Sequence, residues 1–294
     1  MEKDTWFILG NGIEMEAREI EFFPNLKIAY IESAISIFDL AAVGAVGFRE
    51  WAMLEPISSS CRFEIISMEN DFVLGYDTLN RAWLLNTLLV LRKKINAKFI
   101  ACSSYSWNEI AGFQKRAVWK NLKLPPFKGS LLDFHMKSIQ LPQIENSTIN
   151  EDDVLWIKKY YEIANSLAAE NNNFRFALET ISSWRYSKDI KSAVAIIWAA
   201  IESVIGVSSE IVFRLSLNIS SLLEERGEAR IRKFNEIKKL YGLRSKVVHG
   251  SDLKPDQLGI AISTSILLLS DLVIYMIEKN KVIVESDFEK AIFY

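Results

Sequence analysis

Ile190-Lys-Ser-Ala-Val-Ala-Ile-Ile-Trp-Ala-Ala-Ile-Glu-Ser-Val-Ile205 decides the architecture of the C-terminal half of this chain. Ala193, Val194, Ile196, Ile197, Trp198, Ala199, Ala200, Ile201 and Val204 leave it hardly any polar face. A helix that is apolar all round is buried in the middle of a bundle, so other helices must cover it. Downstream, helical patterns run over about 210–225 and about 228–249. Gly250 stops the second of these, and Pro255 suits the first turn of a last helix reaching about Lys279. Upstream, Phe174–Trp184 reads as a helix, and Ile157, Tyr161, Ile163, Ala164 and Ala168 form an apolar stripe of helical period. Thr148 and Glu151 stand at capping-box spacing, which marks the start of that earlier helix. Short connections imply packed neighbours, hence an α-helical bundle of five or six helices.

Before residue 150 the texture changes. Thr5–Leu9, Lys27–Ile31, Cys61–Met68 and Lys98–Cys102 read as strands, with Gly10-Asn11-Gly12 as a tight turn. Thr78–Lys94 reads as a helix capped by Asp77 or Thr78, with Lys93 and Lys94 in its last turn. Pro142–Asn150 is polar and reads as a linker. The expected fold class is therefore α+β. A mixed α/β domain over 1–149 precedes an all-α helical bundle over 150–294.

Composition sets limits on function. Half of the 294 residues are hydrophobic and 24% are charged, which describes a folded chain. A net charge of -2 excludes a basic surface overall, so any nucleic-acid site must be a local patch. Cys61 and Cys102 lie far apart in no metal-ligand spacing, and with two histidines in the chain neither a metal nor a cofactor is expected. Met1-Glu-Lys-Asp lacks the basic start and apolar run of a signal peptide. Apolar stretches around 28–48 and 259–278 are interrupted by Glu32, Asp39 and Asp271. Neither is an unbroken apolar run of about 20 residues, so no membrane partner and a cytoplasmic location are expected.

The local patch exists. Arg226, Arg230, Arg232, Lys233, Lys238, Lys239, Arg244 and Lys246 are opposed only by Glu228 and Glu236, a stripe suited to a polyanion or to a solvated helix face. Arg244 and His249 are separated by about 7.5 Å along a helix axis. Cleavage of RNA without a metal needs a group to move the 2′-OH proton and a cation for the charge developing on phosphate. Histidine and guanidinium supply these, and the helix C-terminus favours a cationic imidazole. The same residues also suit a histidine that merely closes the helix beside Gly250, with Arg244 in a structural ion pair, and spacing leaves both open. Glu202, near the end of the buried helix, either needs a cation such as Arg244 or sits in solvent before Gly206. His135 lies amid apolar neighbours and reads as packed, most aromatic residues read as core, and Asp152 and Asp153 read as a helix first turn.

Leu240-Tyr-Gly-Leu-Arg-Ser-Lys-Val-Val-His-Gly250 resembles the signature of the HEPN superfamily, in particular its Apea-like branch, Tyr-x-x-Arg-Ser-x-x-x-His-Gly. Ala199-Ala-Ile-Glu-Ser203 resembles the glutamate-bearing central helix of that family. The likeness covers roughly residues 150–280. It implies a metal-independent endoribonuclease in which two protomers face their Arg-x4-His motifs into one composite site. Many members are toxins or antiviral defence effectors, so a neutralising or defence-system partner is implied as well. On this resemblance Arg244 and His249 are the catalytic pair, with Glu202, Ser245 and Tyr241 in support. Lys246, Lys238, Lys239, Arg232 and Lys233 would contact RNA. Ser245 departs from the Asn, Asp or His common after the arginine in the wider superfamily. The N-terminal domain would sense a trigger, recognise a partner or restrain the nuclease. Two other expectations stand beside this one: a non-catalytic module for dimerisation or for nucleotide or RNA binding, and an activity of the N-terminal half itself.

Overall fold

The computed structural model describes residues 5–45, 47, 51–68, 78–116, 125–132, 139, 147–207, 210–250 and 253–294. The fold is α+β: an N-terminal antiparallel sheet with helices is followed by a helical region. Two compact units form, Met1–Met136 with Gln143–Lys159, and Lys137–Pro142 with Tyr160–Tyr294. The helix Glu151–Glu170 starts in the first and ends in the second.

In the first unit, β1 (Thr5–Asn11), β2 (Glu19–Phe23), β3 (Leu26–Tyr30), β4 (Phe63–Met68), β5 (Lys98–Ser103) and β6 (Gly129–Leu131) form one sheet in the order β2-β3-β4-β1-β5-β6. Every strand pairing in it is antiparallel. Short helices α1 (Ile37–Ala42), α2 (Glu55–Ser58) and α4 (Trp107–Ile110) accompany it, and α3 (Thr78–Lys93) packs on β1 and β4. Leu9, Ala101 and Leu131 share a buried cluster with Ile37, Leu40, Trp51, Trp107 and Ile110. The expected turn at Gly10-Asn11-Gly12 is corrected: Gly10 and Asn11 continue β1, pairing with Phe63 and Lys98. A Cβ on Gly10 would lie 2.2 Å from the Phe63 ring, which is why the strand carries glycine there. The chain turns only at Gly12, whose φ is 89°.

Glu64 is 1% exposed and shares the Leu9 face, since the two are cross-strand partners. It accepts hydrogen bonds from the Ser106 hydroxyl at 2.7 Å, the Trp107 N–H at 2.7 Å and Asn108 Nδ2 at 3.5 Å. Burial outweighs these donors and pushes its carboxyl from 4.5 up to about 7. Between those values the folded chain holds a proton that the unfolded chain has released. The resulting stability is full below the lower value and is lost as pH rises through the upper one. The difference is worth roughly 3 kcal/mol. Glu64→Gln is expected to flatten this part of the stability profile, read as urea midpoints near about pH 4.5 and about pH 8. An equal slope in both proteins contradicts the assignment.

The second unit takes in the end of α5 (Glu151–Glu170), then α6 (Asn172–Ser183), α7 (Ile190–Ile205), α8 (Ile211–Leu223), α9 (Glu228–Val248), α10 (Pro255–Lys279) and α11 (Glu285–Phe293). The start of α5 lies two residues beyond the expected cap. Asn150 and Asp153 exchange backbone-to-side-chain hydrogen bonds at 3.0 and 3.1 Å, in place of Thr148 and Glu151. The core is made where α7 and α10 pack on each other and on α6, α8 and α9. Helix α7 is buried on most of its surface, but Ala199 is exposed and Ile196 half-buried, so it lies within the bundle wall rather than at its centre. By length and composition α10 is apolar enough to cross a membrane, and 61% of its apolar window is buried in this structure. Helix α11 lies beyond the last helix read from the sequence. Asn280, at φ 50°, ends α10 and redirects the chain.

Candidate functional site

Helix α9 forms because its exposed surface is paired along the helix and one narrow stripe is apolar. Arg232 meets Glu228 at 3.3 Å and Lys233 meets Glu236 at 3.4 Å, while Ile237, Leu240 and Val247 are buried. Arg244 stands four residues after Leu240 and three before Val247, on that buried stripe, and so faces inward. Its Nη2 lies 3.1 Å from Glu202 Oε1 and donates to Oε2 at 3.3 Å. Glu202 comes from the last turn of α7, held there by the α7–α9 packing.

A stack of rings supports this pair. The Arg244 Cζ sits 5.3 Å from the Tyr241 ring centroid, and Tyr241 meets Trp198 edge to face at 5.2 Å. Trp198 is fully buried and donates its indole N–H to Ser265 Oγ of α10 at 2.8 Å. Burial first, and the Glu202 charge second, raise the Tyr241 phenol above its ordinary range, against the opposing Arg244 charge. Glu202 Oε1 and Arg244 Nε are shielded from solvent yet make no hydrogen bond among the described residues. The guanidinium is thus anchored through one nitrogen.

His249 lies elsewhere. It is the C-cap of α9, its N–H donating to the Ser245 carbonyl at 3.0 Å, and it is exposed. Gly250 follows at φ 77°, closing the helix as expected. At about 100° per residue, Arg244 and His249 point roughly 140° apart around the axis. One chain therefore does not set them side by side. His249 shares the outer side of α9 with Lys238 and Lys246, both exposed, while Lys239 is exposed nearby and Ser245 is half-buried.

The rest of the basic stripe divides by role. Arg230 donates from Nη1 to the Ala291 carbonyl at 3.0 Å and from Nε to the Glu224 carbonyl at 3.0 Å, and Arg226 donates to the Ile292 carbonyl. Both cations thus satisfy the open carbonyl end of α11. Replacing both by alanine is expected to speed amide hydrogen exchange across α11 and lower stability by about 1–2 kcal/mol. Unchanged exchange there contradicts that role. Among the described residues Lys238, Lys239 and Lys246 enter no ion pair and remain available. His135 lies outside the described residues.

In the N-terminal unit, a groove of about 720 Å³ runs past Ile20, Lys93, Ile149, Val154 and Leu155, rimmed by Glu16, Glu19 and Glu151. Lys93, which lines it, is paired with Asp153 at 3.1 Å. The sequence reading missed the ion pairs of Asp153, although a carboxylate in the first turn of a helix was the available signal. Among the described residues, no group of three or more His, Cys, Asp or Glu side chains is placed to hold a metal ion. No protein-family model, curated protein or solved structure matches this chain.

Proposed function

We propose that the chain is a metal-independent endoribonuclease of HEPN type, acting in the cytoplasm as a toxin or antiviral defence effector. The observation that carries this reading is the exposed His249 on the same side of α9 as Lys246 and Lys238, which enter no ion pair among the described residues, with Arg244 held through a single nitrogen by Glu202. The lysines attract the RNA backbone without reading sequence. His249 takes the proton of a ribose 2′-OH, whose oxygen attacks the adjacent phosphorus. The bond to the 5′-oxygen breaks, and that oxygen receives a proton from a second histidine. The products are a 2′,3′-cyclic phosphate and a 5′-hydroxyl. Arg244 stabilises the charge on the phosphate oxygens through the part of its guanidinium that neither Glu202 nor burial occupies. A site shared by two copies supplies the second histidine and sets one chain's Arg244 near the other's His249.

The N-terminal unit acts as sensor or restraint. Its groove falls within the roughly 300–1,000 Å³ range of small-ligand sites, which supports that role. A neutralising or defence-system partner would act through it. One observation favours a second reading, a non-catalytic RNA-binding or dimerising module: Arg244 and His249 occupy different sides of α9. Incubation with single-stranded RNA in excess chelator separates the two. The nuclease reading expects fragments ending in cyclic phosphate, and intact RNA bound to protein favours the module.

A further inference from the structure

Helix α9 is 21 residues long, and Gly242 sits in its interior on the exposed side. Glycine weakens a helix interior relative to alanine, so its presence there calls for a reason. Nothing among the described residues provides one. Its backbone is helical, and an added Cβ would meet no atom within 4 Å. The reason lies in what surrounds it. Asn235, Lys238, Lys246 and His249 all fall within about 40° of Gly242 around the helix axis. All four are exposed. Lys238 and Lys246 flank the glycine about one turn to either side, and His249 lies about two turns along.

We infer that Gly242 is the point at which an RNA sugar–phosphate backbone lies directly against α9. The missing side chain lets the strand approach the helix surface between the two lysines, and that approach sets its path toward His249. This rests on the RNA reading of the same site and adds where the strand runs. Charge selects the occupant. A second copy presenting the same face would set Lys238, Lys246 and His249 against their own counterparts, whereas a polyanion is attracted by all three. Two such faces come together only around an anion.

The test uses full-length protein and a fluorescein-labelled single-stranded RNA of about 12 nucleotides, with His249→Ala as background so that the probe stays intact. Gly242→Ala in that background is expected to raise the melting temperature by about 2 °C while weakening RNA binding at least about tenfold. Gly242→Gln should weaken it further, and Lys238→Ala should weaken binding and reduce the salt slope by about one. Equal RNA affinity with and without Gly242→Ala overturns the inference and leaves the RNA reading intact. A dimer in RNA-free protein that Gly242→Ala dissociates, read by light scattering, assigns the face to a second copy and also overturns it. Absence of any RNA binding at low salt by the Gly242-containing protein overturns both.

Discussion

Asp153→Ala is expected to lower the stability of the N-terminal unit by about 3–5 kcal/mol, a loss as large as that of emptying a core position. Asp153 is 3% exposed, and its carboxylate receives Lys93 Nζ at 3.1 Å and Arg92 Nε at 3.3 Å. It also accepts the Asn150 N–H at 3.1 Å, closing the first turn of α5. Lys93 is itself 7% exposed, so truncating its partner leaves a largely buried ammonium without the ion pair it makes among the described residues. Arg92 keeps a second contact, the Trp156 ring at 5.8 Å, and does not share that fate. Asp153→Asn retains the cap but not the charge, and should lose most of the same stability. Lys93→Met combined with Asp153→Asn should recover part of it, because no charge is then stranded. Urea unfolding followed by tryptophan fluorescence checks the series. A loss below about 1 kcal/mol for Asp153→Ala would show that Lys93 finds water or another acceptor.

Arg244→Ala carries the second large effect, and it is double. RNA cleavage is expected to fall by about 10²–10³, the usual cost of removing one donor to a developing oxyanion. Stability is expected to fall by about 1–3 kcal/mol, since Glu202 loses the cation paired with it and Tyr241 its stacked guanidinium. Arg244→Lys should restore part of the stability and little of the cleavage, because an ammonium cannot hold Glu202 with one nitrogen and phosphate with another. Glu202→Gln separates positioning from fold. Cleavage reduced about tenfold with near-normal stability supports a positioning role, and neither quantity changing would remove it. The cycle closed by Glu202→Ala with Arg244→Ala gives the coupling energy of the pair directly.

How far these features were legible in the sequence follows from where their partners lie. The ends of α7 and α10 coincide with the expected bounds because both are punctuated locally, by Asp189 and Gly206, and by Pro255 and the Lys279-Asn280 step. The strands around Ile8, Ile28, Ile65 and Ile100 fall within two residues of their expected limits, since their apolar runs are short and bounded. The cap of α5 was misplaced because Thr148-x-x-Glu151 and Asn150-x-x-Asp153 both fit the spacing, and only burial of Asp153 against Lys93 chooses between them. Arg226 and Arg230 read as part of an RNA-binding stripe because their acceptors, at the end of α11, lie some sixty residues away in sequence. Glu202 was different. A carboxylate at the end of an apolar helix raises the question of a cation, and Arg244 was the available one. The angular separation of Arg244 and His249 was also readable, since it needs only the helical repeat. Their axial spacing alone left a catalytic pair and a helix cap both open, and it is the angle that sets them on different sides of α9.

The most direct test of the ribonuclease reading is the rate at which full-length His249→Ala cleaves single-stranded RNA in excess chelator, set against the wild-type rate. His249 is exposed and caps α9 through its backbone, so the variant should fold and melt as the wild type does. A fall of about 10²–10⁴ in cleavage at unchanged melting temperature is the expected result, the usual contribution of a proton-transfer group. Equal cleavage by the two proteins would contradict the assignment of His249 to the chemistry.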